Sequence, residues 1–284
     1  MYSVILENKH GDQLTFTQNS PFTITEMQGL NPPDATINTS EVALMDGAKY
    51  NSAKVNMRQI MIAFAIEYSA PYNRIQVYKV LKSKQWIRLY YTGDYRDVFI
   101  DGYIQSIDVS YFEMKQIVTC TILCPSPFFN TAQAIINDLD SIISAFHFPF
   151  SSTEEPQLLF GYYDEASNVT VVNDGDVACG MVIELYARNV ISNPKIFNYV
   201  TQEFFGLNYS MRAGDLITIN TVQGQKSVTL LRNGVETNIF NSVMKNSTWL
   251  QLDTGDNTFV YEVGTGQTYN LLVTFNHYDQ YEGV

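Results

Sequence analysis

Short apolar runs alternating with turn residues fill most of this chain of 284 residues. Residues 2–6 and 13–17 alternate apolar and polar side chains on either side of Gly11-Asp12, which predicts a β-hairpin. The apolar run within residues 56–68 could form a buried helix, but its β-branched residues and its lack of helix caps favour a core strand. Further strands are predicted at residues 98–102, 103–111 and 116–124. This spacing is typical of an all-β sandwich or barrel.

The second half of the chain repeats this pattern with more segments. Its apolar runs are separated by turn residues at near-regular spacing: residues 168–173, 181–187, 196–198, 203–209, 216–220, 227–231, 249–252, 258–263 and 269–275. Asn233-Gly234 is a two-residue hairpin signal between two of these runs, 227–231 and 235–240. The pattern predicts a jelly-roll or galectin-like β-sandwich.

One segment between the two halves has a helical period. Its apolar residues recur every three to four positions: Ala132, Ile135, Ile136, Leu139, Ile142, Ile143 and Phe146. We therefore expect a mainly β fold, with two sandwich or barrel domains joined by a helical linker whose apolar face lies against the first domain or a neighbouring subunit. The expected domains are residues 1–130, 131–150 and 151–284.

The most basic stretch of the chain lies in residues 74–96. Residues 76–81 and 86–91 alternate with period 2 around residues 82–85, which predicts another hairpin. Cations interleaved with aromatic rings could bind nucleic acid. The period-2 pattern favours instead the solvent or partner face of a hairpin. The predicted partner-contact residues are Arg74, Lys79, Lys82, Lys84, Trp86, Arg88 and Arg96.

Composition and charge distinguish the two halves. Hydrophobic residues make up 45% and charged residues 16% of the chain, and the 19 Tyr and 17 Phe suit strands and contact surfaces. Residues 1–135 hold 11 Lys and Arg against 12 Asp and Glu, whereas residues 136–284 hold 6 against 17. The first half can therefore pack against copies of itself or other subunits. The second half repels its own copies and nucleic acid, so we expect it to be solvated and not to bind DNA.

Targeting segments and cysteine chemistry change this interpretation of the chain little. The chain shows no charged segment followed by a signal-like apolar run, and no apolar run approaches the roughly 18 residues that cross a bilayer. We expect a protein made in the cytoplasm that neither follows the usual export route nor enters a membrane. Cys120, Cys124 and Cys179 are an odd number without the paired spacing of a zinc site, so buried thiols are expected.

Residues that could carry catalysis are scarce. His10, His147 and His277 are scattered, and the common phosphate-binding, dinucleotide-binding, zinc-protease and hydrolase motifs do not occur. Three acid pairs could serve a glycosidase, but each lies in a turn-like context: Asp164/Glu165, Asp174/Asp176 and Asp253/Asp256. The Asp174 segment also offers too few oxygen atoms for calcium. No catalytic, cofactor-binding or metal-binding residue is predicted, and no cofactor is expected.

A sugar-binding sandwich is a more credible alternative, because such modules stack sugars on exposed aromatic rings. The second half offers six such residues: Tyr162, Tyr163, Tyr199, Phe204, Phe205 and Trp249. Aromatic residues at strand spacing belong more often to a core.

The turn motifs follow one another in a distinctive order. In the first half they are Gly11-Asp12, Gly29-Leu30 and residues 46–50, 58–60, 101–103 and 124–129. In the second half they are residues 173–176, 194–196, 213–215, 230–234 and 252–257. This order, over nearly the whole chain, resembles the distal tail protein (Dit) family, the ring-forming adaptors of long-tailed phages and of phage-tail-like bacteriocins. Thr201-Gln202-Glu203 departs from the Thr-Gly-Glu turn of many relatives.

The resemblance implies a homohexameric ring at the tail tip or baseplate of a virion, assembled in the host cytoplasm. The N-terminal belt domain would surround a channel between the last ring of the tail tube protein and the tail-tip hub protein. The C-terminal domains would point outward and carry peripheral baseplate or fibre proteins, without membrane or direct nucleic-acid contacts. Two other classes stay open: a carbohydrate-binding adhesion module and a tail-associated glycan hydrolase.

Overall fold

The computed structural model describes residues 2–139 apart from residues 18, 42, 44, 45 and 114, together with residues 142–144, 161–163 and 168–284. The chain divides into two compact units. The N-terminal unit comprises Met1–Gln133 and Gln280–Val284, and the C-terminal unit comprises Ala134–Asp279.

The N-terminal unit is built on one antiparallel sheet and one helix. Its elements are β1 (Ser3–Asn8), β2 (Gln13–Phe16), β3 (Phe22–Gln28), β4 (Ala35–Glu41), β5 (Ala48–Val55), β6 (Arg58–Ile66), α1 (Ala70–Val80), β7 (Trp86–Thr92), β8 (Asp97–Val109), β9 (Gln116–Cys124), β10 (Phe129–Thr131) and, from the end of the chain, β25 (Gln280–Tyr281). The sheet follows the order β2-β1-β7-β8-β9-β6-β3, and β10 pairs with both β8 and β25. Strands β4 and β5 form a separate two-stranded sheet.

The main sheet curls until its edge strands meet over a shared core. The ring centroid of Phe16 on β2 lies 6.0 Å from that of Phe22 on β3. Both rings pack on Phe64 of β6, whose ring centroid lies 4.9 Å from that of Phe16 and 5.6 Å from that of Phe22. Helix α1 joins the same core through Val77 and Val80. The described strands form a curled open sheet, because β2 and β3 touch through side chains without pairing.

Two predictions for this unit are confirmed. Strands β1 and β2 pair across the turn at Gly11, whose φ of +83° suits a glycine. The apolar run of residues 56–68 contains strand β6, which lies between β3 and β9 and is almost wholly buried. Its β-branched side chains suit that central position.

The predicted hairpin at residues 76–91 is wrong in its first half, which belongs to helix α1. The buried residues Asn73, Val77 and Val80 recur at helical spacing. Pro71 stands in the first turn of the helix, where its missing N–H is no loss. The alternating pattern covers only residues from 76 onward, which lie inside the helix. It therefore gave no sign that a helix begins at Ala70.

The C-terminal unit is built from antiparallel strands and two short 3-10 helices. Its elements are β11 (Ile135–Leu139), β12 (Ile142–Ser144), β13 (Gly161–Tyr163), β14 (Asn168–Asn173), β15 (Met181–Ala187), β16 (Ile191–Ser192), β17 (Lys195–Asn198), β18 (Phe204–Gly206), β19 (Ser210–Met211), β20 (Leu216–Asn220), β21 (Ser227–Arg232), β22 (Val235–Asn238), β23 (Gly255–Glu262) and β24 (Leu271–His277), with 3-10 helices at Phe240–Ser242 and Thr268–Asn270. Over the described ranges, no helix is both long and apolar enough to cross a bilayer.

Two of these sheets form a sandwich. One has the order β11-β24-β15-β20-β21-β22 and the other β14-β23-β17-β18. Phe259 of β23 stacks on Phe275 of β24 with ring centroids 4.9 Å apart, which joins the two sheets through the core. Asn233 and Gly234 have positive φ angles and connect β21 to β22, as the hairpin signal predicted. The expected mainly β fold is confirmed.

Two details of the predicted strand series are different. The segment at residues 249–252 contributes a single bridge, between Leu252 and Cys179. The segment at residues 269–275 begins as a 3-10 helix and becomes β24 at Leu271.

The predicted helical linker at residues 131–150 is not confirmed. The described part of this segment is extended, because β10 ends at Thr131 and strands β11 and β12 follow. Strand β11 pairs with β24 from Ile135 to Leu139, and Ile136 is 62% exposed although the helical stripe required its burial. Pairing along a sheet edge satisfies the backbone and suits isoleucine, and so overrides the local helical period. Residues 140, 141 and 145–150 lie outside the described residues.

Candidate assembly surface

The predicted contact residues lie on four elements of the N-terminal unit. Arg74 and Lys79 are on α1, Lys82 and Lys84 are in the loop that follows it, Trp86 and Arg88 are on β7, and Arg96 is in the turn before β8. Three of these cations make contacts within the chain, and three are exposed. The predicted cations therefore divide into arginines with partners in the chain and exposed lysines.

Arg88 is held by its own sheet. Its Nε donates to Oδ1 of Asp101 at 2.6 Å and its Nη2 donates to Oδ2 at 2.8 Å, across the pair of β7 and β8. The guanidinium also lies 4.1 Å from the ring centroid of Phe99 and 5.4 Å from that of Trp86. Hydrogen bonding to Asp101 raises the pKa of Arg88 further above its usual value. The charge of Arg88 is therefore paired within its own chain.

Arg74 and Arg96 also have partners inside the unit. Arg74 donates to the side chain of Gln116 at 3.1 Å and lies over the ring of Tyr111 at 5.0 Å. Arg96 donates to the carbonyl oxygen of Gly283 at 2.7 Å and lies 4.1 Å from the ring centroid of Tyr281. The contacts of Arg96 hold the end of the chain against the rest of the N-terminal unit.

Lys79, Lys82 and Lys84 form the exposed part of the predicted surface. Lys79 lies in the last turn of α1, where a cation interacts favourably with the helix dipole. Lys84 has a φ of +68° and its backbone N–H bonds to the carbonyl oxygen of Ile104 at 2.8 Å. The loop is therefore anchored to β8 while these three ammonium groups remain available to a partner.

Sequence reasoning missed a second exposed feature, the hairpin of β4 and β5, which we call the arm. Every residue of both strands is exposed, and the pair belongs to no larger sheet. The two strands pair from Ala35 with Val55 to Glu41 with Ala48, with a bulge after Asn38. An isolated two-stranded hairpin is at best marginally stable in water.

The arm has two chemically different faces. Directly paired residues share a face and successive residues alternate. One face is mostly apolar and consists of Ala35, Ile37, Thr39, Glu41, Ala48, Tyr50, Ala53 and Val55. The opposite face is polar, with side-chain hydrogen bonds such as that from Asn38 to Ser52 at 3.0 Å. This alternation is visible in the sequence and could have identified the arm.

A third exposed feature is an aromatic patch at the other end of the main sheet. It consists of Tyr68, Tyr72, Ile75, Tyr111 and Phe112, all at least half exposed, with Phe112 fully exposed. Helix α1 supplies the middle of this patch, and the turn between β8 and β9 supplies its rim. The hydroxyl groups of Tyr78 and Tyr111 lie 2.8 Å apart and join the two parts. Burial raises the pKa of Tyr78 above its ordinary value.

Two of the three acid pairs lie in turns that asparagine side chains hold. In the first turn, the N–H of Gly175 bonds to the side chain of Asn173 at 2.9 Å. In the second, the side-chain Nδ2 of Asn257 donates to the carbonyl oxygen of Asp253 at 2.7 Å. Asp164 and Glu165 lie outside the described residues. Among the described residues, no group of three or more His, Cys, Asp or Glu side chains could hold a metal ion.

Two of the aromatic residues considered for sugar binding contact each other, and the other described ones make separate contacts. Phe205 is buried and packs on Trp249 with centroids 5.0 Å apart. Phe204 packs on Phe197 at 5.7 Å, whereas Tyr199 is exposed on its own loop. The side chains of Tyr162 and Tyr163 lie outside the described residues.

One histidine and the three thiols are buried. Nε2 of His277 lies 3.2 Å from the carbonyl oxygen of Val172 and 3.3 Å from Oδ1 of Asp279. Burial raises the pKa of Asp279 and raises the pKa of each cysteine to about 12. These cysteines are protonated at neutral pH and packed in the cores, as expected from the sequence.

Comparisons with known proteins add independent information. Residues 174–278 match a family described as the siphovirus-type tail component, C-terminal domain. The fold is similar to that of SPP1 Dit, described as a paradigm of the hub adsorption apparatus in phages that infect Gram-positive hosts, with a TM-score of 0.68 and 11% identity over 97% of this chain and 98% of that one. No curated protein sequence matches the chain.

Two further similar structures come from a phage baseplate. A chain of the phage P2 baseplate, activated with calcium, has a TM-score of 0.53 and 11% identity over 97% of both chains. The strontium form gives a TM-score of 0.53 and 10% identity over 98% of both chains. At these identities the likeness concerns the fold.

Proposed function

Because its C-terminal domain belongs to the siphovirus-type tail components, we propose that this chain is a structural protein of a phage tail tip or baseplate, where it forms a homohexameric ring. The family match at residues 174–278 confirms the family expected from the order of the turn motifs. In the proposed ring, the N-terminal domain carries assembly and contacts the tail tube protein and the tail-tip hub protein. The C-terminal domain carries peripheral baseplate or fibre proteins.

The arm is the observation that supports ring formation most strongly. Its mostly apolar face lies entirely in solvent on the isolated chain, with Ile37 and Tyr50 each 62% exposed. Exposed apolar surface that is bordered by polar residues marks interaction sites. Since a lone hairpin gains too little from its own contacts, we infer that a partner surface covers this face in the assembled state.

The charge distribution supports a different task for the second half. Residues 136–284 carry 6 Lys and Arg against 17 Asp and Glu, so six copies repel one another unless solvent and salt separate them. That surface suits attachment of peripheral proteins and disfavours nucleic acid. The structural function is preferred because the matched family is a tail component, and because the described acid pairs lie in turns that asparagine side chains hold.

A matched pair of arm variants tests the proposal. Replacing Ile37 and Tyr50 by Asn alters the apolar face, and exchanging Asn38→Ser with Ser52→Asn alters the polar face of the same strands. Both pairs are exposed, so each variant is expected to fold like the parent. We expect native mass spectrometry with tube protein present to show rings for the parent and the polar-face variant, but monomers for the apolar-face variant. Monomers of the parent under these conditions would refute the proposed ring.

A further inference from the structure

We propose that the arm of one copy docks on the aromatic patch of a neighbouring copy of this chain. This inference rests on the proposed ring and adds to it the surface that receives the arm. The occupant of the patch is therefore a second copy of the same protein.

Strand β6 places the two features at opposite ends of the N-terminal unit. The arm ends at Val55, just before β6 begins at Arg58, and α1 starts shortly after β6 ends at Ile66. The β8–β9 turn lies at this second end too, because Ile66 pairs with Gln116. Nine strand residues span about 30 Å. The arm, exposed along both strands, covers no part of its own patch.

The two surfaces match in chemistry. The apolar face of the arm offers small and branched side chains around Tyr50, and the patch offers four aromatic rings and Ile75. Aromatic residues are enriched at protein interfaces because they bury a large area with few rotatable bonds. Each surface is exposed on the single copy, and contact with the other would remove both from water.

Their charges are also complementary. Within β4 and β5, Glu41 is the one charged residue on the apolar face, whereas the lysines of those strands, Lys49 and Lys54, lie on the polar face. Helix α1 carries the exposed Lys79 beside Ile75 and Tyr72 of the patch. The exposed acids Glu67 and Glu113 also border the patch, but Glu67 is paired with Lys115 at 2.8 Å. Arg74 and Lys79 of α1 then outnumber the remaining acid, so an acid on the arm is favoured there over a cation.

Because donor and receiver are different surfaces, the contact is head to tail. A heterologous contact of this kind closes into a ring when its rotation returns to the start. Every copy then gives one arm and receives one arm. This arrangement is consistent with the proposed ring.

Cross-linking of the full chain tests this contact directly. The natural cysteines are buried with thiols protonated at neutral pH, so introduced cysteines are the reactive ones. Ala53→Cys on the apolar face, combined with Ile75→Cys and treated with a short bismaleimide, keeps Ile37 and Tyr50 and is expected to give a ladder of covalent oligomers ending at the ring. Ser52→Cys combined with Ile75→Cys places the arm thiol on the polar face and is expected to give a much weaker ladder.

The outcomes separate this inference from the proposed function. Rings by native mass spectrometry with equal ladders, or with no ladder for Ala53→Cys and Ile75→Cys, would overturn arm docking while leaving the ring intact. Absence of rings from the parent protein would overturn both. A stronger ladder from the apolar face within intact rings supports the contact.

A charge exchange provides a second readout. Glu41→Lys and Lys79→Glu are each expected to weaken assembly at low salt by about fivefold. Combining them in one chain restores an opposite-charge pair in every head-to-tail contact, so assembly should recover. Lys54→Glu on the polar face serves as the control and should leave assembly unchanged. Additive losses in the double variant, without recovery, would contradict the pairing of these two surfaces.

Discussion

The guanidinium of Arg58 donates a hydrogen bond of 2.5 Å to the carbonyl oxygen of Glu282, across 224 positions of sequence. The same group donates to the carbonyl oxygens of Gly29, Asn31 and Pro127 at 2.6 to 2.7 Å. Burial lowers the pKa of Arg58. One buried cation thus joins β6 to three other backbone segments of the N-terminal unit: the loop at residues 29–31, Pro127 and the end of the chain.

Replacing Arg58 should therefore destabilise the N-terminal unit. We expect Arg58→Ala to lower the free energy of unfolding by about 3–5 kcal/mol, because several buried carbonyl groups lose their donors. Arg58→Lys should recover only part of the lost free energy of unfolding, since an ammonium group cannot reproduce the planar arrangement of the guanidinium N–H groups. Urea unfolding followed by circular dichroism measures the change, with exposed Lys82→Ala as the control. A loss no larger than that of the control would show that these hydrogen bonds contribute little.

Two glycines near the arm should respond differently to alanine. Gly29 has a φ of +89°, and a Cβ atom there would meet the carbonyl oxygen of Gln59. Gly47 has nearly the same φ, +88°, but a Cβ atom would meet nothing within 4 Å. Gly47→Ala should cost about 1 kcal/mol from backbone strain alone, whereas Gly29→Ala adds displacement of strand β6 and should cost about 3 kcal/mol or more. Equal thermal unfolding temperatures for the two variants would contradict this difference.

The Asp215–Arg232 pair should make the C-terminal unit sensitive to acid. Asp215 is buried and accepts from Nε of Arg232 at 2.8 Å and from the N–H of Arg212 at 2.7 Å. Hydrogen bonding to Arg232 lowers the pKa of Asp215. A lowered pKa contributes stability above the unfolded pKa of about 4, and this is lost as pH falls through the folded value.

Asp215→Asn is the variant that tests this pair. We expect it to lose about 3 kcal/mol at pH 7, and we expect its stability to converge with that of the parent at acid pH. Lys195→Ala removes an exposed pair with Glu262 and should cost at most about 1 kcal/mol. A difference between parent and Asp215→Asn that persists unchanged down to pH 2 would rule out this linkage.

The basic segment should separate into a structural cation and available lysines. Arg88→Glu breaks a two-bond ion pair and places two carboxylates side by side with Asp101, so we expect a loss of about 2 kcal/mol in unfolding free energy. Lys82→Glu with Lys84→Glu should leave stability within about 0.5 kcal/mol, because both side chains are exposed. Chemical denaturation of both variants measures this. Equal stability of the two would show that the Asp101 pair is unimportant.

Sequence patterns identified the class of fold because most strands alternate apolar and polar residues between clear turns. The hairpin at Gly11 and that at Asn233-Gly234 have turn residues that demand their backbone angles. The apolar stripe at Ile135–Leu139 fitted a helix equally well, and pairing with β24 decided its conformation. Local patterns do not contain that information, since the partner strand lies far away in sequence.

The assembly surface was only partly accessible from the sequence. The enrichment of cations in residues 74–96 pointed to one region, but their partners Asp101, Gln116 and Gly283 became visible only through the fold. The alternation of residues 35–41 and 48–55 could have identified the hairpin, but it does not reveal whether the apolar face packs on the same chain. Exposure of both strands supplies that fact.

The central claim is that this chain forms a ring at the tail tip. Electron microscopy of tail particles in which the chain carries a small C-terminal label tests it most directly. We expect six labels arranged around the tail axis in one layer between the tube and the hub. Labels distributed along the tube, or an absence of the chain from purified particles, would contradict the account.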